Sequence, residues 1–136
     1  MSKQNVEIIR AIVQAFIEGV ERGDFSAAWD TGAVAAQLEW IPAAEMAEQR
    51  SFRGRDDFVE FMRGWTEDFE EYSVHLERLI DAGNDRVIGF FHQTAMGRGS
   101  GVPVRQDYAI VYELTDGQLV RMQIYLDRDD ALKQAP

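Results

Sequence analysis

Residues 72–127 read YSVHLERLIDAGNDRVIGFFHQTAMGRGSGVPVRQDYAIVYELTDGQLVRMQIYLD, and this stretch decides the fold. Val74, Leu76 and Ile80 alternate with His75, Glu77 and Asp81, which is the two-residue period of a strand. Gly83-Asn84-Asp85 signals a turn. A second strand is predicted over about Arg86 to Met96, a glycine-rich tip at Gly97, Gly99 and Gly101, and a third strand over about Pro103 to Leu114. Thr115-Asp116-Gly117 turns the chain back, since Asp-Gly suits a tight hairpin, and the last strand runs from about Gln118 to Asp127. Connections this short do not allow a crossover, so the four strands form an antiparallel meander.

Toward the N-terminus the period changes. Val6, Ile9, Val13, Phe16, Ile17 and Val20 recur at three- and four-residue steps and make one apolar helix stripe, which Gly23 and Asp24 break. Asp24 is placed to cap a short second helix through Trp29. Gln37 to Ile41 reads as extended and stops at Pro42. The stretch from Ala43 to Arg50 fits either a loop or a helical turn. Gly54 opens the clearest helix, with Phe58, Phe61, Met62, Trp65 and Phe69 on one face and Asp56 and Asp57 in its first turn, where they complement the helix dipole. Helices first and a meander after is an α+β pattern. The prediction is one domain, residues 1–136, with three N-terminal helices packed on a curved, mainly antiparallel sheet.

Composition limits what the chain does. Of 136 residues, 46% are hydrophobic, enough for a core, and no cysteine is present for disulfides, thiolate metal sites or nucleophilic catalysis. A formal net charge of −10 opposes binding to nucleic acid and to anionic membrane surfaces. Residues 1–5 are polar and Glu7, Arg10 and Gln14 interrupt the apolar positions that follow, so neither a signal peptide nor a membrane span is predicted and a cytoplasmic location is expected. His75 and His92 are the two histidines and show no ligand spacing, so no metal is expected; His75 is assigned to the outer sheet face and His92 to either. Gly97-Arg98-Gly99-Ser100-Gly101 lacks the lysine and the strand-to-helix setting of a phosphate loop, and no cofactor is expected.

Two charged residues stand out. Arg105 and Asp107 share a strand face with Ala109 and Val111, so their charges point where apolar side chains point. A carboxylate inside an apolar cone has a raised pKa and suits general acid/base work, with Arg105 as its electrostatic partner. The competing reading is an ion pair at the rim of the sheet beside the glycine-rich tip. Trp29, Trp40 and Trp65, with Phe16 and Phe61, are candidate walls for a flat apolar ligand, or simply core. Opposite Asp107 and Ala109 lie Tyr108, Ile110 and Tyr112, an aromatic face that a second subunit would cover in a homodimer.

Four motifs carry a resemblance: Glu21-Arg22-Gly23-Asp24 after the first helix, Phe52-Arg53-Gly54-Arg55-Asp56 before the next, Leu79 to Val87 around the first hairpin, and Thr115 to Leu119 followed by Tyr125-Leu126-Asp127-Arg128. In order and spacing they resemble the SnoaL-like branch of the nuclear-transport-factor-two-like superfamily over nearly the whole chain. The resemblance implies a cone fold with an internal pocket for a small hydrophobic organic ligand, cyclic or polyketide-like. Arg105 and Asp107 look like part of the limonene-epoxide-hydrolase site, but Ile124 stands at the position of its second aspartate, and Leu38 and Trp40 at the positions of its tyrosine and asparagine. Phe16 and Ile41 stand where steroid isomerases of the fold carry a tyrosine and an aspartate. A polyketide cyclase leaning on a single pocket aspartate is contradicted least. The expectation is therefore a small-molecule-binding protein and candidate cyclase, isomerase or hydrolase. Asp107 and Arg105 are its catalytic candidates, and Trp40, Trp65, Trp29, Leu38, Phe61 and Ile124 line its pocket. The alternative is a non-catalytic ligand-binding or dimerisation protein of the same fold.

Overall fold

The computed structural model describes residues 2–44 and 51–134. Helix α1 spans Ser2–Glu21, a 3₁₀ turn Ala27–Thr31, β1 Val34–Ile41, β2 Phe52–Arg53 and α2 Gly54–Thr66. Strands β3 (Phe69–Gly83), β4 (Arg86–Gly97), β5 (Pro103–Thr115) and β6 (Gln118–Tyr125) follow, and α3 (Arg128–Leu132) closes the described chain. The six strands form one sheet in the order β2-β1-β6-β5-β4-β3, with β1 parallel to β6 and every other pair antiparallel. The parallel pair is possible because α2 and the whole meander lie between β1 and β6 in the chain.

Local chemistry explains the meander. The two-residue turn Asn84-Asp85 holds φ of 53° and 60°, and Asp116-Gly117 holds 51° and 78°. Positive φ at both central residues matches the right-handed twist of the flanking strands. Register shifts at Glu70/Ser73 and Leu76/Arg78 bend β3 around the helices. The bend gives the sheet an inner face toward α1 and α2 and an outer face away from them.

The expected layer of three N-terminal helices is corrected. Its second member is a single 3₁₀ turn of five residues. The Asp24 carboxylate accepts from both the backbone N–H and the hydroxyl of Ser26, at 3.0 and 2.8 Å, and Gly32 ends the turn at φ 78°. Gly19 lets α1 approach this turn, since a Cβ there would lie 2.6 Å from that of Ala27 and 2.3 Å from the Asp24 carbonyl oxygen. The third α-helix is the C-terminal α3, which packs against β5. Strand β2 was not anticipated; it pairs with β1 through Phe52 and Arg53. Of the Ala43–Arg50 stretch, residues 45–50 lie outside the described residues.

The core is double. The inner cluster joins Ile9, Ile12 and Val13 of α1 and Phe58 and Met62 of α2 to Phe91, Tyr108, Tyr112 and Leu119 of the sheet. A smaller outer cluster joins Ile88, Phe90, Ala109 and Val111 to Ala131 of α3, with Ile88, Ala109 and Ala131 wholly buried. The helix that fills the outer face starts where Asp127 caps it, its carboxylate accepting from Asp129 N–H at 2.8 Å. No helix among the described residues is long and apolar enough to cross a membrane.

Candidate functional site

Helices α1 and α2, the 3₁₀ turn and the inner sheet face line a cavity of about 90 Å³. Helical spacing brings Phe58, Phe61, Met62 and Trp65 to it from α2, while alternate residues Val34, Leu38 and Trp40 reach it from β1. From β5 come Gln106, Tyr108, Ile110 and Tyr112, and from β6 Met122 and Ile124. Aromatic rings form the wall: Trp40 lies 4.1 Å from Phe61 and 5.3 Å from Phe52 between centroids, and Phe91 stacks on Tyr108 at 5.3 Å. Gly89 makes room for this stack, because a Cβ there would meet the Phe91 ring at 2.9 Å and Leu79 at 3.1 Å.

The polar groups in this cavity are few and uncharged. Tyr72 donates its hydroxyl to Gln93 Oε1 at 2.9 Å and is hydrogen-bonded in turn to the Trp65 indole. Burial pushes the Tyr72, Tyr108 and Tyr112 phenols well up, so each stays neutral at physiological pH. Trp29 Nε1 is buried without a hydrogen-bond partner. Leaving such a donor unmet costs about 1–3 kcal/mol. Among the described residues lining the cavity there is no Asp, Glu, His, Lys or Arg.

The structure therefore brings six of the eight expected site residues together: Trp29, Leu38, Trp40, Phe61, Trp65 and Ile124 all line the cavity. The facing expected for Arg105 and Asp107 is corrected. Both are exposed and lie on the outer face with Ala109 and Val111. Those two apolar residues are buried by α3 on the outer face, not by the cone. Asp107 sits opposite His92 across the β4–β5 pair and takes a 2.6 Å hydrogen bond from His92 Nδ1. That bond, with the Arg128 guanidinium behind it, holds the Asp107 carboxyl below the usual 3.8, the reverse of the raised value an apolar cone would give.

Arg128 completes this outer cluster. It lies 2.9 Å from Glu77 and 3.9 Å from Asp107, donates to the Phe91 carbonyl at 3.3 Å and stacks 5.5 Å over the Phe90 ring. Glu77, His92 and Asp107 each place one potential metal-ligating atom within 4.8 Å of the others. In this arrangement the guanidinium supplies the positive charge between the carboxylates. Further along the same face Arg121 bridges Glu113 at 2.9 Å and Glu39 at 3.3 Å.

The aromatic face of β5 is likewise relocated. Tyr108, Ile110 and Tyr112 are buried and line the cavity, so they give no reason to expect a second subunit. Among the described residues the exposed large hydrophobics are Val102 and Leu132. Sequence reasoning missed Tyr72, Gln93 and Gln106, the cavity's polar members. Their signal was weak but present: Gln106 shares the alternation of Tyr108 and Ile110, and Gln93 that of Phe91.

Similarity to known proteins agrees with this architecture. No curated protein matches the chain in sequence. Among solved structures, the chain superimposes on one described as a SnoaL-like polyketide cyclase from Jannaschia sp. CCS1 with a TM-score of 0.71 at 18% identity, covering 98% of this chain and 92% of that one. TerC, co-crystallised with polyporic acid, gives 0.72 at 18% identity, covering 97% and 98%. An NTF2-like protein from Burkholderia thailandensis E264 gives 0.70 at 25% identity, covering 92% and 95%. Residues 13–122, which run from α1 through the parallel pairing of β1 with β6, match the SnoaL-like domain family, and the chain belongs to that family.

Proposed function

We propose that this protein binds a compact, flat, mainly apolar ring compound inside the cone, and that Asp107 takes no part in chemistry there. The observation that carries this reading is the lining: aromatic and aliphatic walls with a few neutral hydrogen-bonding groups and, among the described residues, no ionisable acid or base apart from buried phenols. Binding sites for small organic molecules have this composition. The volume sets the size class. About 90 Å³ is small beside the roughly 300–1,000 Å³ of pockets that hold drug-sized ligands, so a single ring fits better than a multi-ring polyketide.

A cyclase, isomerase or hydrolase needs a group that gives or takes a proton at the substrate. Asp107 points away from the cavity, and the buried phenols stay protonated near neutral pH, so the described lining holds no group ready to take a proton. The binding reading is therefore favoured over the catalytic one.

Titrating isotope-labelled protein with isopropylbenzene tests it. The methyl resonances of Ile110, Ile124 and Leu119 should shift together, and Ile110→Trp, which fills the space, should abolish the response while the protein stays folded. Shifts confined to surface residues, or a response that survives Ile110→Trp, would sink the proposal.

A further inference from the structure

We propose that Gln93 selects the ligand, its amide N–H groups donating to an acceptor oxygen at one end of a single-ring compound. This rests on the ligand-binding reading above and assigns the residue that reads the ligand's polar end. Gln93 is 8% exposed and lines the cavity from β4, on the same strand face as the buried Phe91 and Ala95. Burying a carboxamide there costs free energy unless both of its ends are bonded. Its oxygen end is bonded by a chain of fixed direction. The Trp65 indole, which can only donate, bonds the Tyr72 hydroxyl, and that hydroxyl donates its own proton to Gln93 Oε1 at 2.9 Å. Tyr72 sits inside the β3 bulge between Glu70 and Ser73, beside Glu71 at φ 56°.

The chain of bonds decides what Gln93 has left to offer. With Oε1 taken, Nε2 keeps two N–H donors. Among the described residues Nε2 has no partner, yet it is not one of the two unpartnered atoms sealed from solvent, Trp29 Nε1 and Arg128 Nε, so it keeps accessible surface. Other polar groups of the lining do not fix the sign of the ligand's group. The Tyr108 and Tyr112 hydroxyls rotate to give or to accept, and the Gln106 amide, directly opposite Gln93 across β4–β5, can present either end. A ligand meets those groups as donor or acceptor, but it meets Gln93 only with a lone pair. A ring ketone, aldehyde or ether supplies one, and its ring fills the apolar remainder of the cavity.

Acetophenone and its hydrocarbon counterpart isopropylbenzene, two single-ring probes of similar shape, test this. In the wild-type protein the Gln93 side-chain amide protons should move downfield with acetophenone and not with isopropylbenzene. In Gln93→Met, which keeps the length and removes the donors, the ratio of acetophenone to isopropylbenzene affinity should fall about five- to tenfold, the size of one ordinary hydrogen bond. Tyr72→Phe, which frees the amide to turn, should lower the ratio by a smaller factor. A ratio that survives Gln93→Met, or one that collapses only in Gln106→Met, Tyr108→Phe or Tyr112→Phe, would overturn the assignment and leave the cavity reading standing. Failure of both probes to reach the cavity residues would overturn the ligand-binding reading itself. If Gln93→Met does not fold, the amide shift in the wild type still decides.

Discussion

The even and odd residues of β5 sit in different surroundings. On the inner face, Tyr108, Ile110 and Tyr112 border a neutral cavity together with aromatic rings of α2, and Tyr108 stacks on Phe91 of β4. On the outer face, Asp107 and Arg105 meet solvent and charged neighbours, while Ala109 and Val111 lie under α3. Both faces are apolar in part, but for different reasons. The inner one must leave space that large rings surround, and the outer one must let a short helix approach closely, which small residues permit. The comparison teaches that an apolar strand face is not by itself a pocket face; what lies across from it decides.

The largest test of this contrast is Phe91→Ala. Phe91 is 2% exposed and stacks on Tyr108, so its loss should cost about 3–5 kcal/mol in urea unfolding and should also enlarge the cavity and alter ligand affinity. A loss under about 1 kcal/mol would show that the inner wall is loosely packed. Ala131→Glu attacks the outer cover instead. Placing a charge where the side chain is wholly buried should release α3 and cost about 1–3 kcal/mol, with cavity affinity unchanged. A change in affinity as large as that of Phe91→Ala would mean the two faces are coupled.

Gly89→Ala returns to the inner face on a smaller scale. The added methyl meets the Phe91 ring at 2.9 Å, and the strain should cost about 1–2 kcal/mol unless the ring gives way; cavity affinity should drop with it. Equal stability and equal affinity would show that the Phe91–Tyr108 stack is mobile.

The smallest effect belongs to Asp107. Its folded-state pKa lies below the ordinary 3.8 because of the hydrogen bond from His92, followed by the nearby Arg128 charge. A depressed carboxyl pKa contributes stability that is present above the unfolded value and disappears as pH falls through the folded one. Asp107→Asn should therefore lower the melting temperature slightly at neutral pH, with the difference from wild type closing on acidification below about pH 4. Cavity affinity should not change. A constant gap across that range would disprove the His92–Asp107 pairing as its source, and lost affinity would return Asp107 to the site.

Much of this molecule was legible locally. The stripe through Ile9 and Val13 and the face of Phe58, Met62 and Trp65 announced α1 and α2, because helical spacing alone gathers them. Asn84-Asp85 and Asp116-Gly117 announced two hairpins, because few residues accept positive φ. The aromatic lining through Trp29, Trp40, Phe61 and Trp65 was also readable, since inward-facing large rings have nowhere else to go in so small a domain. The extent of the second helix was not, because the Asp24–Ser26 bonds that shape it compete with helix formation.

The residues and their spacing determined by themselves the α+β order, the hairpin positions, the family and most of the apolar cavity wall. Which face of β5 looks inward was decided only by the tertiary structure. A two-residue period says that Asp107 and Tyr108 point opposite ways, not which of them points into the cone. When both faces carry apolar residues the pattern is symmetric, and α3 breaks the symmetry by burying Ala109 and Val111 from outside. That placement sends Asp107 to His92 and solvent, and leaves the cavity to neutral donors.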